Sequence, residues 1–282
     1  MAQVSVHYSL PDELEGTVLA SIMRAKLHEI AGARQKWPAE AIQMALDRAP
    51  EIRSLKRALV MHSPGFIAEI KRASPSAGLL RRDFDPAAIA LDYESAGAAA
   101  ISVVTEAAHF QGRLETLADL RWKSALPLLR KDFIVDPHQL LEARHAGADA
   151  VLLIAALLNA GSLRSLRQKT EELGMDALVE VHDQRDLDRA LEAGATLIGV
   201  NNRDLRSFEV SLQASLTLAP RLPGNIMAIS ESGIKTADDV RRLADAGYRG
   251  FLVGEALMKA ASPGAALREL MGALEPARGR AR

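Results

Sequence analysis

One phrase recurs along the chain and constrains its fold more than any other feature. In each copy a helix-like segment ends in glycine, two or three residues follow, and an apolar strand-like run begins. The glycines of the five copies are Gly97, Gly147, Gly174, Gly194 and Gly247. A glycine just beyond a helix end adopts the left-handed conformation without steric cost. The repeat therefore predicts helices and strands that alternate along the chain.

Eight short apolar segments, each followed by a helical pattern, are the predicted strands. They span residues 66–70, 100–104, 128–131, 151–155, 177–181, 197–201, 227–231 and 251–254. Continuous apolar runs between helices indicate parallel strands buried on both faces. Eight such units in 282 residues predict an α/β fold, a closed (β/α)8 TIM barrel. An open doubly wound sheet is the alternative, but it normally needs fewer strands, and no glycine-rich dinucleotide loop follows the first segment.

About 60 residues precede the first predicted strand. Apolar residues at helical spacing predict a helix over 17–35, and 38–47 is a second, shorter candidate. We therefore expect one barrel domain over residues 1–282, with 1–60 as an N-terminal helical extension. The Arg-rich tail 275–282 is expected to be frayed.

Composition narrows the possible partners. Lys and Arg number 35 and Asp and Glu 36, so a net charge of -1 gives no overall field for nucleic acid or an anionic membrane. The absence of cysteine excludes thiolate catalysis and Cys-ligated metals, and no histidine shows metal-ligand spacing. The N-terminus lacks a signal-peptide pattern, and the longest apolar run, 150–158, is too short to span a bilayer. A cytoplasmic monomer or weak homodimer is the expectation.

Charged residues stand at the carboxyl ends of several predicted strands. They are Glu69, Lys71, Lys131, Glu180 and Glu231. A lone charge there is usually a solvated loop residue. Side chains alternate along a strand, so Glu69 and Lys71 point to the same side, and burying ions is costly unless they are paired. The set therefore predicts an ion-paired small-molecule site at the end of a barrel where active sites lie.

Glycines at the seventh and eighth strand ends indicate an anion site. Ser232-Gly233 and Gly254-Glu255 each open a turn before a helical stretch. Glycine lets a phosphate approach the backbone, and helix N-termini present free N–H groups. Barrels often bind phosphate after these two strands.

Taken in order, the motifs resemble the indole-3-glycerol-phosphate synthase family. The resemblance covers about residues 17–271, including the extension. The motifs are IAEIKRASPSAG (67–78), FQG (110–112), LLRKDFIVDPHQ (128–139), GADAVLLI (147–154), LVEVHD (178–183), IGVNNRDL (198–205), ISESGI (229–234) and FLVGEALM (251–258).

The resemblance implies a ring closure in tryptophan biosynthesis. Its substrate is 1-(2-carboxyphenylamino)-1-deoxyribulose 5-phosphate, a small phosphorylated molecule. The aromatic ring attacks the sugar ketone, carbon dioxide leaves, and water is eliminated to give indole-3-glycerol phosphate. The resemblance implies no cofactor and no metal.

The resemblance also assigns acid and base roles. Attack on a ketone places negative charge on its oxygen, so an acid must protonate that oxygen. The resemblance implies that this acid is Lys131. Glu180 matches the base of the dehydration. Lys71 matches the residue that holds the substrate carboxylate, and the division of acid duty between Lys71 and Lys131 stays open.

Other positions match supporting roles. Glu69 and Glu231 would orient the lysines or the substrate, with Glu231 counted among the substrate-binding residues. Asn201 and Ser232 would hydrogen-bond substrate hydroxyls or the charged cluster itself. His182, just past Glu180, is expected to be a loop residue or a support for its neighbours.

The remaining matches concern binding. Phe110 and Phe133 form the apolar wall for the anthranilate ring or belong to the ordinary core, and Arg203 is a supporting cation. The implied phosphate site consists of Ser232, Gly233, Gly254 and Glu255. Many relatives have Gly-Ser where this chain has Gly254-Glu255, so a carboxylate stands near the phosphate and must point away from it.

Two alternative functions make different predictions about the residues of this chain. A phosphoribosylanthranilate isomerase would use a Cys/Asp pair, and this chain has no cysteine. A silent barrel that binds a metabolite or scaffolds a partner would be suggested by loss of Lys131 or Glu180, and both are present.

Overall fold

Eight parallel strands form a closed ring. The computed structural model describes residues 8, 10–11, 14–204 and 209–274, so the tail 275–282 lies outside the described residues. Each strand pairs with the next in the chain, and the eighth pairs with the first. The strands are β1 (Gly65–Ile70), β2 (Ala100–Val104), β3 (Leu128–Lys131), β4 (Ala150–Ile154), β5 (Asp176–Val181), β6 (Leu197–Asn201), β7 (Met227–Glu231) and β8 (Gly250–Val253). The predicted TIM barrel is confirmed, with strand ends displaced by at most one residue.

Helices precede the barrel and follow each of its strands. They are α1 (Val18–Lys36), α2 (Ala39–Ala45), α3 (Leu55–Met61), α4 (Pro86–Ala96), α5 (Leu114–Arg121), α6 (Pro137–His145), α7 (Ala160–Glu172), α8 (Gln184–Glu192), α9 (Gln213–Leu218), α10 (Ala237–Asp245), α11 (Glu255–Lys259) and α12 (Pro263–Met271). In the described part of the chain, none of the helices is long and apolar enough to cross a membrane.

Local sequence signals set the helix ends. All five glycines of the repeated phrase have positive φ, between 80° and 107°, as predicted. Asp85, Asp136 and Ser262 each accept a backbone N–H at a helix start that has proline in its first turn. The glycines therefore mark where helices end, and the capping side chains mark where helices begin.

The N-terminal extension begins with α1, which Thr17 caps through Ala20 N. This helix matches the prediction over 17–35 to within one residue. The second predicted helix is divided into α2 and a short 3-10 turn, Leu46–Arg48. Helix α3 was not predicted, because seven residues with no clear polar face give too little pattern.

Register places the predicted strand-end residues at the carboxyl end of the barrel. Glu180 on β5 pairs with Ile154, and Asn201 on β6 pairs with Glu231 on β7. Lys131 ends β3 opposite Val104. Because the strands are parallel, these ends converge on one rim, as the charge pattern predicted.

Candidate active site

A cavity of about 670 Å³ opens at the carboxyl ends of the strands. It is lined by twelve of the thirteen residues named from the sequence together with residues of α1. The twelve are Glu69, Lys71, Phe110, Lys131, Phe133, Glu180, Asn201, Arg203, Ser232, Gly233, Gly254 and Glu255. Glu231 does not line the cavity: it is 1% exposed and lies behind the wall.

Lys131 is the centre of the charged cluster. Its Nζ lies 3.0 Å from Glu180 Oε2 and 3.3 Å from Glu231 Oε2. Burial alone would lower the pKa of this ammonium, but Glu180, Glu231 and Glu69 outweigh it and raise the pKa above its ordinary value. The lysine is therefore held protonated, as a proton donor must be. If one of these carboxylates accepted a proton during the reaction, it would lose its negative charge and the pKa of Lys131 would fall.

The two carboxylates beside Lys131 differ in protonation. Burial would raise the pKa of Glu180, yet Lys131 and His182 outweigh it and lower the pKa below its ordinary value. Burial raises the pKa of Glu231 to about 7, and the repulsion of Glu180 adds to the effect against the attraction of Lys131. Environments that separate two carboxyl groups in this way assign acid and base roles.

A second ion pair lies on β1. Lys71 Nζ is 2.7 Å from Glu69 Oε1, and both side chains are largely buried. Two glycines make room for the buried carboxylates: a Cβ at Gly254 would collide with Glu69, and a Cβ at Gly199 with Glu231. Gly199 was missed from the sequence, although a glycine inside a strand often marks such a close approach.

The end of β7 carries a strained turn. Ser232 has φ 65° and Gly233 φ 78°, so two successive residues are left-handed. The neighbouring Asn202 fixes this turn, because its Nδ2 donates to Ser230 Oγ, Glu231 O and Ser232 O at 2.9–3.0 Å. Asn201, by contrast, bonds the Glu180 carboxylate and lowers its pKa.

Three charges meet at the proposed phosphate edge. Arg203 lies 3.1 Å from Glu255 Oε2, and Lys259 lies 2.6 Å from Glu255 Oε1. Arg203 also donates to Ser76 Oγ at 3.0 Å. The hydrogen bond from Lys259 and the nearby cations lower the pKa of Glu255. The carboxylate that was expected to point away from phosphate is thus held by two cations.

An aromatic pair also lines the cavity. The rings of Phe110 and Phe133 lie 6.2 Å apart at 44°. The loop that carries Phe110 is fixed by buried Glu106, whose carboxylate accepts the backbone N–H groups of Ala108, His109 and Phe110 at 2.8–3.1 Å. Glu106 was missed from the sequence because its partners are backbone groups.

A buried ion network ties the N-terminal extension to the site. Lys26 of α1 is fully buried and lies 2.9 Å from Asp132 Oδ1, next to Lys131 in the chain. Burial would raise the pKa of Asp132, but Arg130 and Lys26 outweigh it and lower the pKa to about 2. Leu19 and Ile22 of the same helix line the cavity. Sequence spacing gave no signal for this contact, which spans more than 100 residues.

Fold and site together define a (β/α)8-barrel protein with a cluster of buried, ion-paired charges at a cavity that two phenylalanines also line. The family model for indole-3-glycerol phosphate synthase matches residues 19–270. The "Indole-3-glycerol phosphate synthase" of Laribacter hongkongensis is 48% identical over 90% of this chain and 98% of its own length. That of Chromobacterium violaceum is 46% identical over 90% and 97%. The chain belongs to the indole-3-glycerol phosphate synthase family. It is accordingly a carboxy-lyase of tryptophan biosynthesis, as the motifs predicted.

Solved structures show the same fold at low sequence identity. A 3-hexulose-6-phosphate synthase aligns with TM-score 0.60 and 16% identity over 74% of this chain and 99% of its own. A tryptophan synthase alpha-subunit from Pyrococcus furiosus aligns with TM-score 0.57 and 15% identity, over 74% of this chain and 98% of that chain. These similarities support the barrel alone.

Proposed function

We propose that this chain closes the indole ring of 1-(2-carboxyphenylamino)-1-deoxyribulose 5-phosphate with Lys131 as acid and Glu180 as base. The observation that carries the proposal is the position of Lys131, which lines the cavity and whose Nζ lies within 3.3 Å of the buried carboxylates of Glu180 and Glu231. The product is indole-3-glycerol phosphate, with carbon dioxide and water released.

The first half of the reaction forms the carbon–carbon bond. The ring carbon that bears the carboxylate attacks the sugar ketone, and Lys131 protonates the ketone oxygen as the bond forms. The bond to the carboxylate then breaks, carbon dioxide leaves, and its electron pair restores the aromatic ring. Lys71, held by Glu69 at 2.7 Å, binds the carboxylate before it leaves.

The second half removes water. A base takes a proton from the new ring while an acid protonates the departing hydroxyl. Glu180 is the base, because its pKa lies below the ordinary value and it is ionised. Lys71 and Lys131 both lie at the cavity, so the acid of this step is one of these two.

The remaining residues bind and orient the substrate. Phe110 and Phe133 face the anthranilate ring, and Asn201, besides bonding Glu180, reaches the sugar hydroxyls with Ser232. Glu231 acts through Lys131 rather than on the substrate, because it lies behind the cavity wall. The phosphate group occupies the rim formed by Ser232, Gly233, Gly254 and Glu255, with Arg203 as the supporting cation.

The proposal extends to the setting of the enzyme. Residues 1–282 form one domain, with 1–60 as its extension, and the buried Lys26–Asp132 pair supports this unity. The protein acts in the cytoplasm as a monomer or weak homodimer, with a small phosphorylated substrate and without nucleic acid.

A direct assay tests the function. Purified protein, treated with a chelator and dialysed, should convert the carboxyphenylamino sugar phosphate to a fluorescent indole product with no added cofactor. The Glu180→Gln variant should lose about a hundredfold or more of this rate, on the usual scale for a general base. No turnover by the unaltered chain would overturn the proposal.

A further inference from the structure

His182 lies against the proposed base but takes no part in the steps above. It follows β5 directly, and its side chain is 14% exposed. Its Nε2 lies 3.4 Å from Glu180 Oε1, and its Nδ1 lies 3.3 Å from Asp186 Oδ2 on α8. The ring thus stands between two carboxylates, one of which belongs to the acid–base centre.

Two carboxylates on one imidazole decide its protonation. A neutral ring offers one N–H and one lone pair, so one of the two anions would face a lone pair. Asp186 is an acceptor here, because its Oδ2 also accepts the backbone N–H of His182 at 3.1 Å and its Oδ1 lies 3.4 Å from Arg189. A ring protonated at both nitrogens suits both anions: Nδ1–H donates to Asp186, and Nε2, which has no hydrogen-bond partner among the described residues, turns positive charge toward Glu180 at 3.4 Å.

The charged groups around the ring favour this state. Asp186 faces it from α8, Glu180 from its own strand and Glu231 from β7, while Lys131 and Arg189 are paired with these carboxylates. Burial alone would lower the pKa of His182, but its hydrogen bond to Asp186 and the charges of Glu180 and Glu231 raise it above the ordinary value.

Glu180 and Glu231 receive unequal support. Glu180 has Lys131 at one oxygen, His182 at the other and a hydrogen bond with Asn201. Glu231 has only the contact with Lys131, and neither of its oxygens has a hydrogen-bond partner among the described residues. The contact with a second cation and the hydrogen bond with Asn201 are therefore the two differences between the sites, and His182 supplies the charged one.

We propose that His182 is a positioning residue, an imidazolium held between Asp186 and Glu180 that keeps Glu180, and not Glu231, the ionised carboxylate of the centre. The proposal rests on the proposed function, in which Glu180 is the base. Since His182 acts through Glu180, it touches no reacting atom. It selects which of two equally buried carboxylates can accept a proton.

The pH dependence of turnover tests the proposal. His182→Gln removes the cation but keeps an N–H donor, so the pKa of Glu180 should rise. The acid limb of the kcat profile should move up by about one pH unit or more, the usual effect of a nearby opposite charge. Asp186→Asn keeps the ring but weakens its protonation, so the limb should move in the same direction by less.

A matched control separates charge from packing. His138→Gln alters another buried histidine, on α6 and outside the cavity, and should leave the limb in place. The substrate phosphate titrates equally in every variant, so only differences between profiles are compared. An unmoved limb in an active His182→Gln variant would overturn the proposal, whereas an inactive unaltered chain would overturn the function itself.

Nitrogen-15 NMR of histidine-labelled protein gives the answer if His182→Gln fails to fold or is inactive. At neutral pH the His182 ring should show two protonated nitrogens. Its signal is assigned by its absence in His182→Gln or by its displacement in Asp186→Asn. A neutral tautomer at that pH would contradict the proposal.

Discussion

The barrel buries charge at both ends, and the two clusters differ in how completely they are satisfied. At the amino end, just before β4, both oxygens of Asp149 are used: Arg121 donates to them at 2.8 and 3.0 Å, and the N–H groups of Arg53 and Leu128 at 2.7 and 2.8 Å. At the carboxyl end, the one ion pair that Glu231 makes among the described residues is with Lys131, at 3.3 Å.

The difference separates stability from function. A buried ion whose lone pairs are all used offsets much of its desolvation, and removing its partner is costly. Burial raises the pKa of both carboxyl groups, but Asp149 has hydrogen bonds and an arginine that oppose the rise, whereas Glu231 has a single ionic contact, and its pKa of about 7 is useful for proton transfer and costly for the fold. We therefore expect substitutions at the amino end to change stability and those at the carboxyl end to change rate.

The largest effect is expected for Asp149→Ala. It leaves Arg121 buried without its anion and two backbone N–H groups unpaired, so the free energy of unfolding should fall by about 3–5 kcal/mol. Turnover at low temperature should change by less than about twofold, because the two clusters are independent. Urea unfolding and the indole assay measure both quantities. A large loss of rate without loss of stability would contradict the expectation that charges at the amino end stabilise the fold and those at the carboxyl end serve the reaction.

Lys131→Ala should show the opposite pattern. We expect kcat to fall at least about a hundredfold, the scale of a missing general acid. Its loss of unfolding free energy should be smaller than that of Asp149→Ala. Lys169→Ala, at a surface pair on α7, is the control and should keep both values. A Lys131 variant of nearly normal rate would remove this residue from its role.

Glu231 should make stability depend on pH. Its pKa rises from 4.5 in the unfolded chain to about 7 in the fold, so between these values the native state holds a proton that the unfolded state releases. Through this group stability decreases as pH rises across that window. Glu231→Gln should therefore gain roughly 1–3 kcal/mol relative to the unaltered chain between about pH 5 and 7. An equal difference at both ends of the window contradicts this.

The smallest effect is expected at the rim. Glu255→Ser removes a carboxylate that holds Arg203 and Lys259 and frees both cations for the substrate phosphate. KM should fall by about threefold, the scale of an exposed ion pair, with kcat unchanged. Steady-state kinetics at low salt measure it. A higher KM would mean that Glu255 contributes to binding through more than its charge.

Much of this site was predictable because strand ends are local signals. Lys131 and Glu180 each end an apolar run, and parallel strands bring such ends together without further information. Glu231 followed the same rule, but only the structure shows it behind the cavity wall. Helix α3 escaped prediction because its pattern is short, and His182 was recognised only as a neighbour of Glu180.

Sequence alone determined the barrel, the extension and the charged strand ends, because periodicity and glycine caps act over a few residues. Tertiary structure decided the protonation of the site. The pKa of a buried carboxyl group depends on which cations approach it across the fold, as Lys131 approaches Glu180 from another strand. It also decided that Lys26 supports the loop after β3, since a contact between such distant segments leaves no pattern in one chain.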